Sequence, residues 1–171
     1  MMSIYFLLHE MYRPLRDYGI IKMSKGIKYN KLDENITLDL TEYLKNIKYK
    51  EINNVLITEK GIISLFFVCF DGIVYGNNPG SKWIQRINHQ QIFIPNPIKF
   101  NEDKIIGLQN KLNLDFKINN LVVFVNNNAE NVRSNQVINL NKFTDYITNF
   151  QSDINLTDKE IDELYKQIKN V

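Results

Sequence analysis

The feature that most constrains the fold is an almost wholly apolar stretch, GIISLFFV, at residues 61–68. Successive side chains of a β-strand point to opposite faces of the sheet. One face would carry Ile62, Phe66, Val68 and Phe70, with Ser64 among them, and the other Ile63, Leu65, Phe67 and Cys69. A strand that is apolar on both faces is typical of the centre of a sheet covered on both sides. We therefore predict a central buried strand over residues 62–70.

Shorter segments around this run have strand and turn patterns. They predict a strand at residues 36–40, a short helical turn at 41–44, and strands at about 50–57, 73–76 and 83–88. Asp71 and Gly72 form a dipeptide that favours a hairpin turn. The sequence Asn-Asn-Pro-Gly at residues 77–80 predicts another turn between strands.

The second half of the chain alternates helical and strand patterns. Asn96 and Pro97 are favoured as the cap and first residue of a helix, and residues 120–125 read as a buried strand. An edge strand at 136–140 and a helix at 141–150 follow. Thr157 and Glu160 have the spacing of a capping box, which predicts a last helix. No repeat or linker divides the chain, so we predict one domain over residues 1–171, with residues 1–35 as a divergent basic extension.

Composition restricts the class of protein. Hydrophobic residues make up 44% of the chain, enough for a globular core, and the formal net charge is only +2. The single cysteine, Cys69, excludes a disulfide within the chain, and we predict that it is a small buried apolar residue. We expect no signal peptide and no membrane span, which favours a cytoplasmic location. Frequent Asn, Lys and Ile are typical of A+T-rich bacterial genomes and mobile elements.

Several residues occur in an order shared with a known family. Ile52 and Asn53 precede a strand that begins at Gly61, and a hairpin-like segment ending at Gly76 is followed by Trp83. Over residues 36–168 this order resembles the nuclease-related domain (NERD), a branch of the restriction-endonuclease-like superfamily. The resemblance implies an α/β fold with a three-layer core, in which helices flank a central mixed sheet.

The resemblance also implies where the reaction would have taken place. In the family, an Asp and a Glu on adjacent strands hold a divalent cation, usually magnesium, which polarises the phosphate and activates a water molecule. A Lys two residues after the Glu assists. Here those positions read Asn53, Phe66 and Val68, and a nearby Gln position reads Phe100. We therefore predict an apolar filled cleft with no catalytic residue, no metal and no cofactor.

Basic residues provide an alternative site. By default, the basic stretch near the N-terminus is interpreted as a solvent-exposed flank. The more specific interpretation is that it contacts nucleic acid. The candidate nucleic-acid-binding residues are Arg13, Arg16, Lys22, Lys25, Lys82, Arg86 and Lys99. The last three are predicted to surround the former cleft.

Three functions remain open. The preferred one is a catalytically inactive module that binds a protein partner or associates with itself. The second is a nucleic-acid-binding module that does not cleave. The third is a nuclease with relocated carboxylates, for which the candidates are Glu10, Glu34, Glu51 and Asp71. His9 and His89 are too isolated for a zinc site, and the sequence indicates no small-molecule substrate and no membrane contact.

Overall fold

Two β-sheets carry the architecture in a computed structural model, which describes residues 36–114 and 116–170. Predictions for residues 1–35 lie outside this range. They include the basic candidates Arg13, Arg16, Lys22 and Lys25 and the acidic candidates Glu10 and Glu34. No helix among the described residues is long and apolar enough to cross a membrane.

The larger sheet has five strands in the order β1-β2-β3-β7-β9. Its members are β1 (Tyr49–Ile52), β2 (Val55–Thr58), β3 (Gly61–Val68), β7 (Ile118–Phe124) and β9 (Val137–Asn139). β1, β2 and β3 pair antiparallel, whereas β3, β7 and β9 pair parallel. This confirms the predicted mixed sheet. Every residue of β3 is buried, as expected for its central place.

The smaller sheet has four strands in the order β6-β5-β4-β8. They are β4 (Ile73–Asn77), β5 (Lys82–Ile87), β6 (Gln90–Pro95) and β8 (Val132–Arg133). The turn predicted at residues 77–80 connects β4 to β5. The hairpin predicted at Asp71 and Gly72 is wrong, because β3 and β4 lie in different sheets. These two residues instead form the bend through which the chain passes between the sheets, and Gly72 adopts a φ of 71° there.

Other strand limits also differ from the predictions. The strand predicted at 50–57 is divided into β1 and β2 by a turn at Asn53 and Asn54, whose φ values are 52° and 61°. Asparagine tolerates this left-handed backbone better than most residues do, which favours a tight hairpin. Residues 36–40 are not a strand, although Leu40 is buried. β6 was not predicted.

Within the described residues, three α-helices flank the five-stranded sheet. They are α1 (Pro97–Leu112), α2 (Phe143–Asn149) and α3 (Asp158–Lys169). The predicted start of α1 is confirmed: the Asn96 side chain accepts a hydrogen bond from the Ile98 N–H at 2.9 Å, and Pro97 is the first helical residue. α1 packs on β3 and β7, and α3 packs on β1, β2 and α1.

Three apolar clusters fill the spaces between these layers. On one face of β3, Leu65 and Phe67 pack with Phe143 and Ile147 of α2. On the other face, Ile62 contributes to a cluster with α1 and α3. Farther along that second face, Phe66 and Val68 pack in a cluster with the smaller sheet. The smaller sheet therefore covers one end of β3, while the helices cover the rest.

The capping box of α3 should make the stability of the protein depend on pH. The Glu160 carboxylate accepts hydrogen bonds from the Thr157 hydroxyl at 2.6 Å and the Thr157 N–H at 2.8 Å, which lower the pKa of Glu160 below its ordinary value of 4.5. The lowered pKa gives a stabilisation that is present above the ordinary pKa and is lost as the pH falls through the folded-state value. We expect Glu160→Gln to reduce the free energy of unfolding at neutral pH and to differ less from the parent in acid.

Urea unfolding of the parent and Glu160→Gln across this pH range measures the effect. Thr157→Ala is the comparison, since it removes the N-cap itself and should lower the free energy of unfolding by about 1 kcal/mol at neutral pH. A difference between Glu160→Gln and the parent that stays constant from neutral to acid pH would contradict the assignment.

Candidate functional site

The position that the resemblance assigns to a metal-binding Glu is occupied by a buried aromatic ring. Phe66 is 2% exposed and Val68 is 3% exposed, and both lie in the cluster that contains Trp83 and Phe124. The predicted register of β3 is therefore consistent with the structure: these two side chains share one face and line an apolar wall. Neither side chain can ligate a metal or transfer a proton.

Asn53 lies beside this strand, in the turn between β1 and β2. The carbonyl of the next residue, Asn54, accepts a hydrogen bond from the Leu65 N–H at 2.8 Å, so the turn runs alongside β3. Asn53 is exposed, and it offers a neutral amide oxygen where the resemblance expects a carboxylate. Magnesium prefers charged oxygen ligands, so the substitution weakens any cation site.

Phe100 and Lys104 of α1 complete the surroundings of Phe66. The rings of Phe66 and Phe100 lie 5.2 Å apart between centroids, in a tilted arrangement. Phe100 stands at the position where the resemblance expects a Gln, so two polar positions of the family are replaced by rings in mutual contact. The Lys104 ammonium lies 5.1 Å from each ring centroid. Such an ammonium is attracted to the negative face of an aromatic ring.

A buried polar network lies next to Phe66 on the same face of β3. The Ser64 hydroxyl donates to Asn101 Oδ1 at 2.9 Å, and Asn101 Nδ2 donates to the Ser64 carbonyl at 2.9 Å and to Asn120 Oδ1 at 2.8 Å. Asn120 Nδ2 donates to the Ile98 carbonyl at 2.8 Å. These bonds join α1 to β3 and β7. Because the network uses its polar atoms internally, it serves to fix the position of α1.

The sequence interpretation did not identify this network as a unit. Asn101 is fully buried, and Ser64 and Asn120 are 6% and 8% exposed. Ser64 and Asn120 are register partners on adjacent parallel strands. A signal was present in the sequence, since each of these polar residues interrupts an otherwise apolar pattern. Nothing local, however, indicated that the three interruptions meet.

The structure offers little for relocated metal ligands. Within residues 36–114 and 116–170, no group of three or more His, Cys, Asp or Glu side chains is placed to hold a metal ion. Asp71 is exposed, and its backbone carbonyl accepts from Gln85 Nε2 at 2.9 Å. The Glu51 side chain accepts from the Asn54 N–H at 3.1 Å and so supports the β1–β2 turn.

The prediction that Cys69 is buried is wrong. β3 ends at Val68, one residue earlier, and Cys69 is exposed. Its thiol donates to Asn126 Oδ1 at 3.2 Å. The apolar pattern continued past the point where the strand stops pairing, so it could not locate the end of the strand.

The structure separates the described basic candidates. Lys82 and Arg86 belong to β5 and are exposed on the face of the smaller sheet that points away from Phe66. Lys99 lies in the first turn of α1. Lys82 and Arg86 therefore do not face Phe66. Whether they bind nucleic acid stays a prediction.

The fold and this site define a class of protein. The central sheet changes from antiparallel to parallel pairing at β3, helices flank it, and the family's catalytic positions lie along β3 and its neighbouring turn. This is an α/β module of the restriction-endonuclease-like type.

Comparison with known proteins identifies the family within this class. The family model of the nuclease-related domain (NERD) matches residues 23–125, more than half of the chain. The chain belongs to the nuclease-related domain family. Searches of curated proteins and of solved structures each returned no match.

Proposed function

We propose that this protein is a catalytically inactive nuclease-related module that acts by binding and not by cleavage. The observation that carries the proposal is the buried Phe66, which lies in contact with Phe100 and beneath the Lys104 ammonium. A metal-dependent nuclease needs carboxylates at this point to hold its cation. The chain instead has apolar side chains there.

The direct test is a cleavage assay with magnesium or manganese on plasmid, linear duplex and single-stranded DNA and on RNA. We expect no cleavage above that of a preparation without the protein, because no described group can activate a water molecule at β3. The relocated-carboxylate alternative predicts the opposite. If cleavage is seen, the matched variants Asp71→Ala, Glu51→Ala, Glu10→Ala and Glu34→Ala would identify the ligand, and loss of cleavage in any of them would overturn the proposal.

The preferred mode of action is binding to a protein partner or to a second copy of the chain. The three apolar clusters support this proposal, because they maintain the scaffold without any contribution from a catalytic site. The proposal includes a single domain over residues 1–171 with a basic extension at 1–35. It also includes a cytoplasmic location and a gene carried by a bacterium or a mobile element. Sedimentation over a range of protein concentrations tests self-association, which would appear as a mass that rises with concentration.

A second candidate is a nucleic-acid-binding module that does not cleave. The observation that favours it is the position of Lys82 and Arg86, two cations on the outward side of one short strand. Nucleic-acid affinity that depends on such cations falls steeply with added salt. A filter-binding measurement at low salt tests this candidate separately from the cleavage assay.

A further inference from the structure

The smaller sheet has one face that points away from the core, here called the outer face. Its central row is formed by the cross-strand partners Tyr75, Ile84 and Phe93, on β4, β5 and β6. Side chains of directly paired residues lie on the same side of a sheet. Neighbouring strands are about 4.8 Å apart, so the two aromatic residues are separated by roughly 10 Å across the sheet.

The outer face exposes apolar surface that the buried clusters of the described residues do not include. Tyr75 is 39% exposed and Ile73, on the same strand and face, is 43% exposed. Neither they nor Ile84 and Phe93 belong to any of the three buried clusters formed within residues 36–114 and 116–170. Val74, Trp83 and Ile94, which point to the opposite face of the same strands, do belong to one cluster and are almost fully buried. In the part of the chain that the structure describes, the core therefore accounts for one face of this sheet and not for the other.

Cations border the central row on both sides. Arg86 pairs with Ile73 and Gln91 on one side. On the other side lie Lys82 of β5 and Arg133 of β8, which is the register partner of Asn77. No Asp or Glu occurs in the four strands of this sheet. The outer face thus combines an exposed tyrosine and a half-buried phenylalanine with positive charge on both flanks.

We propose that the outer face binds single-stranded nucleic acid, with bases stacked on Tyr75 and Phe93 and phosphates held by Arg86, Arg133 and Lys82. This inference rests on the second candidate function and specifies its surface and its ligand. Base–aromatic stacking combined with a positively charged surface is the common basis of binding to single strands. The bases of a duplex are stacked on one another, so their faces are closed to Tyr75 and Phe93.

The charge of the face favours a nucleic acid over a protein partner. A phosphate accompanies every nucleotide, so a bound strand supplies anions along its whole length and on both flanks of the central row. An apolar protein surface would remove water from Arg86 and Arg133 without returning opposite charges, which is unfavourable. The four strands themselves carry no carboxylate that would repel the phosphates.

Fluorescence anisotropy with labelled oligothymidine and oligouridine, and with a duplex of the same length, tests the proposal. We expect both single strands to bind more tightly than the duplex. Tyr75→Ala and Phe93→Ala should each weaken single-strand binding by about 5- to 100-fold, the effect of losing one stacked base. Tyr75→Phe keeps the ring and should bind as the parent does.

The charge contribution has its own readout. Arg86→Ala should weaken binding and reduce the slope of log affinity against log salt by about 0.7, the value for one phosphate contact with a single strand. Lys159→Ala is the matched control, because it removes a lysine that is 86% exposed on α3. Circular dichroism and urea unfolding verify that each variant is folded.

Three results would overturn the proposal. The first is no binding of either single strand at low salt. The second is binding of the duplex as tightly as the single strands. The third is equal affinity of Tyr75→Ala, Phe93→Ala and the parent for the single strands. None of these results bears on whether the protein cleaves nucleic acid. A failure of this proposal is therefore distinguishable from a finding that the protein is catalytically active.

Discussion

Replacing Phe66 by glutamate is expected to lower the free energy of unfolding by more than about 3 kcal/mol and to create no metal-dependent nuclease. Phe66 is 2% exposed and contacts the Phe100 ring, so the change removes a large apolar side chain from a packed cluster. It also places a carboxylate where little water reaches, which adds a desolvation penalty. Many domains have only about 5–15 kcal/mol of stability, so this loss is severe.

Urea unfolding of Phe66→Glu, with Phe66→Gln and Phe66→Leu as controls, measures these contributions separately. Leu keeps most of the apolar volume, and Gln has nearly the shape of Glu without its charge. We expect the order of stability Leu, Gln, Glu, with the Glu variant recovering part of its loss in acid as the carboxyl group is protonated. Equal stability of the Glu and Leu variants, together with stabilisation of the Glu variant by magnesium, would show that the site is still open to a cation.

Replacing Asn101 by leucine is expected to lower the free energy of unfolding by about 2–4 kcal/mol, because it leaves several buried polar groups without partners. Asn101 is fully buried and makes hydrogen bonds to the Ser64 hydroxyl, the Ser64 carbonyl and Asn120 Oδ1. Loss of one partner costs about 1–3 kcal/mol for each buried group left unsatisfied. Urea or thermal unfolding measures the change.

The matched control is the triple variant Ser64→Ala, Asn101→Leu and Asn120→Leu. Replacing all members of a buried polar network by apolar side chains can be nearly neutral. We therefore expect the triple variant to be more stable than Asn101→Leu alone. If Asn101→Leu has the same stability as the parent, the network does not fix α1 in the way described.

The parts of the fold that the sequence predicted are those with strong local or periodic signals. The two apolar faces of β3 follow from alternation alone, and that strand is central. Asn96 with Pro97, and Thr157 with Glu160, begin helices because their hydrogen bonds involve residues two or three positions away. These features depend on few tertiary contacts, so a single sequence is sufficient to find them.

The features that were missed depend on contacts between distant residues. The pattern at residues 50–57 predicted one strand and missed the turn within it. Asn53 and Asn54 adopt left-handed backbone angles there, and such angles cannot be inferred from the spacing of apolar residues. The smaller sheet was not separated from the larger one, since the pattern on each side of Asp71 is strand-like. The Ser64 network required knowledge of the β3–β7 register. The positions of the candidate site were assigned from the resemblance to the nuclease-related domain, and two of them, Phe66 and Val68, lie on one face of β3.

The place of β3 between an antiparallel and a parallel neighbour has a consequence for synthesis of the chain. β2 is adjacent in sequence and can pair with β3 as soon as both have left the ribosome, whereas β7 is translated only after β4, β5, β6 and α1. During that interval one edge of an apolar strand rich in branched and aromatic residues has no partner. An unpaired edge of this kind favours pairing with strands of other chains. The nascent chain should therefore be most prone to aggregation, and most dependent on chaperones, before Ile118–Phe124 emerges.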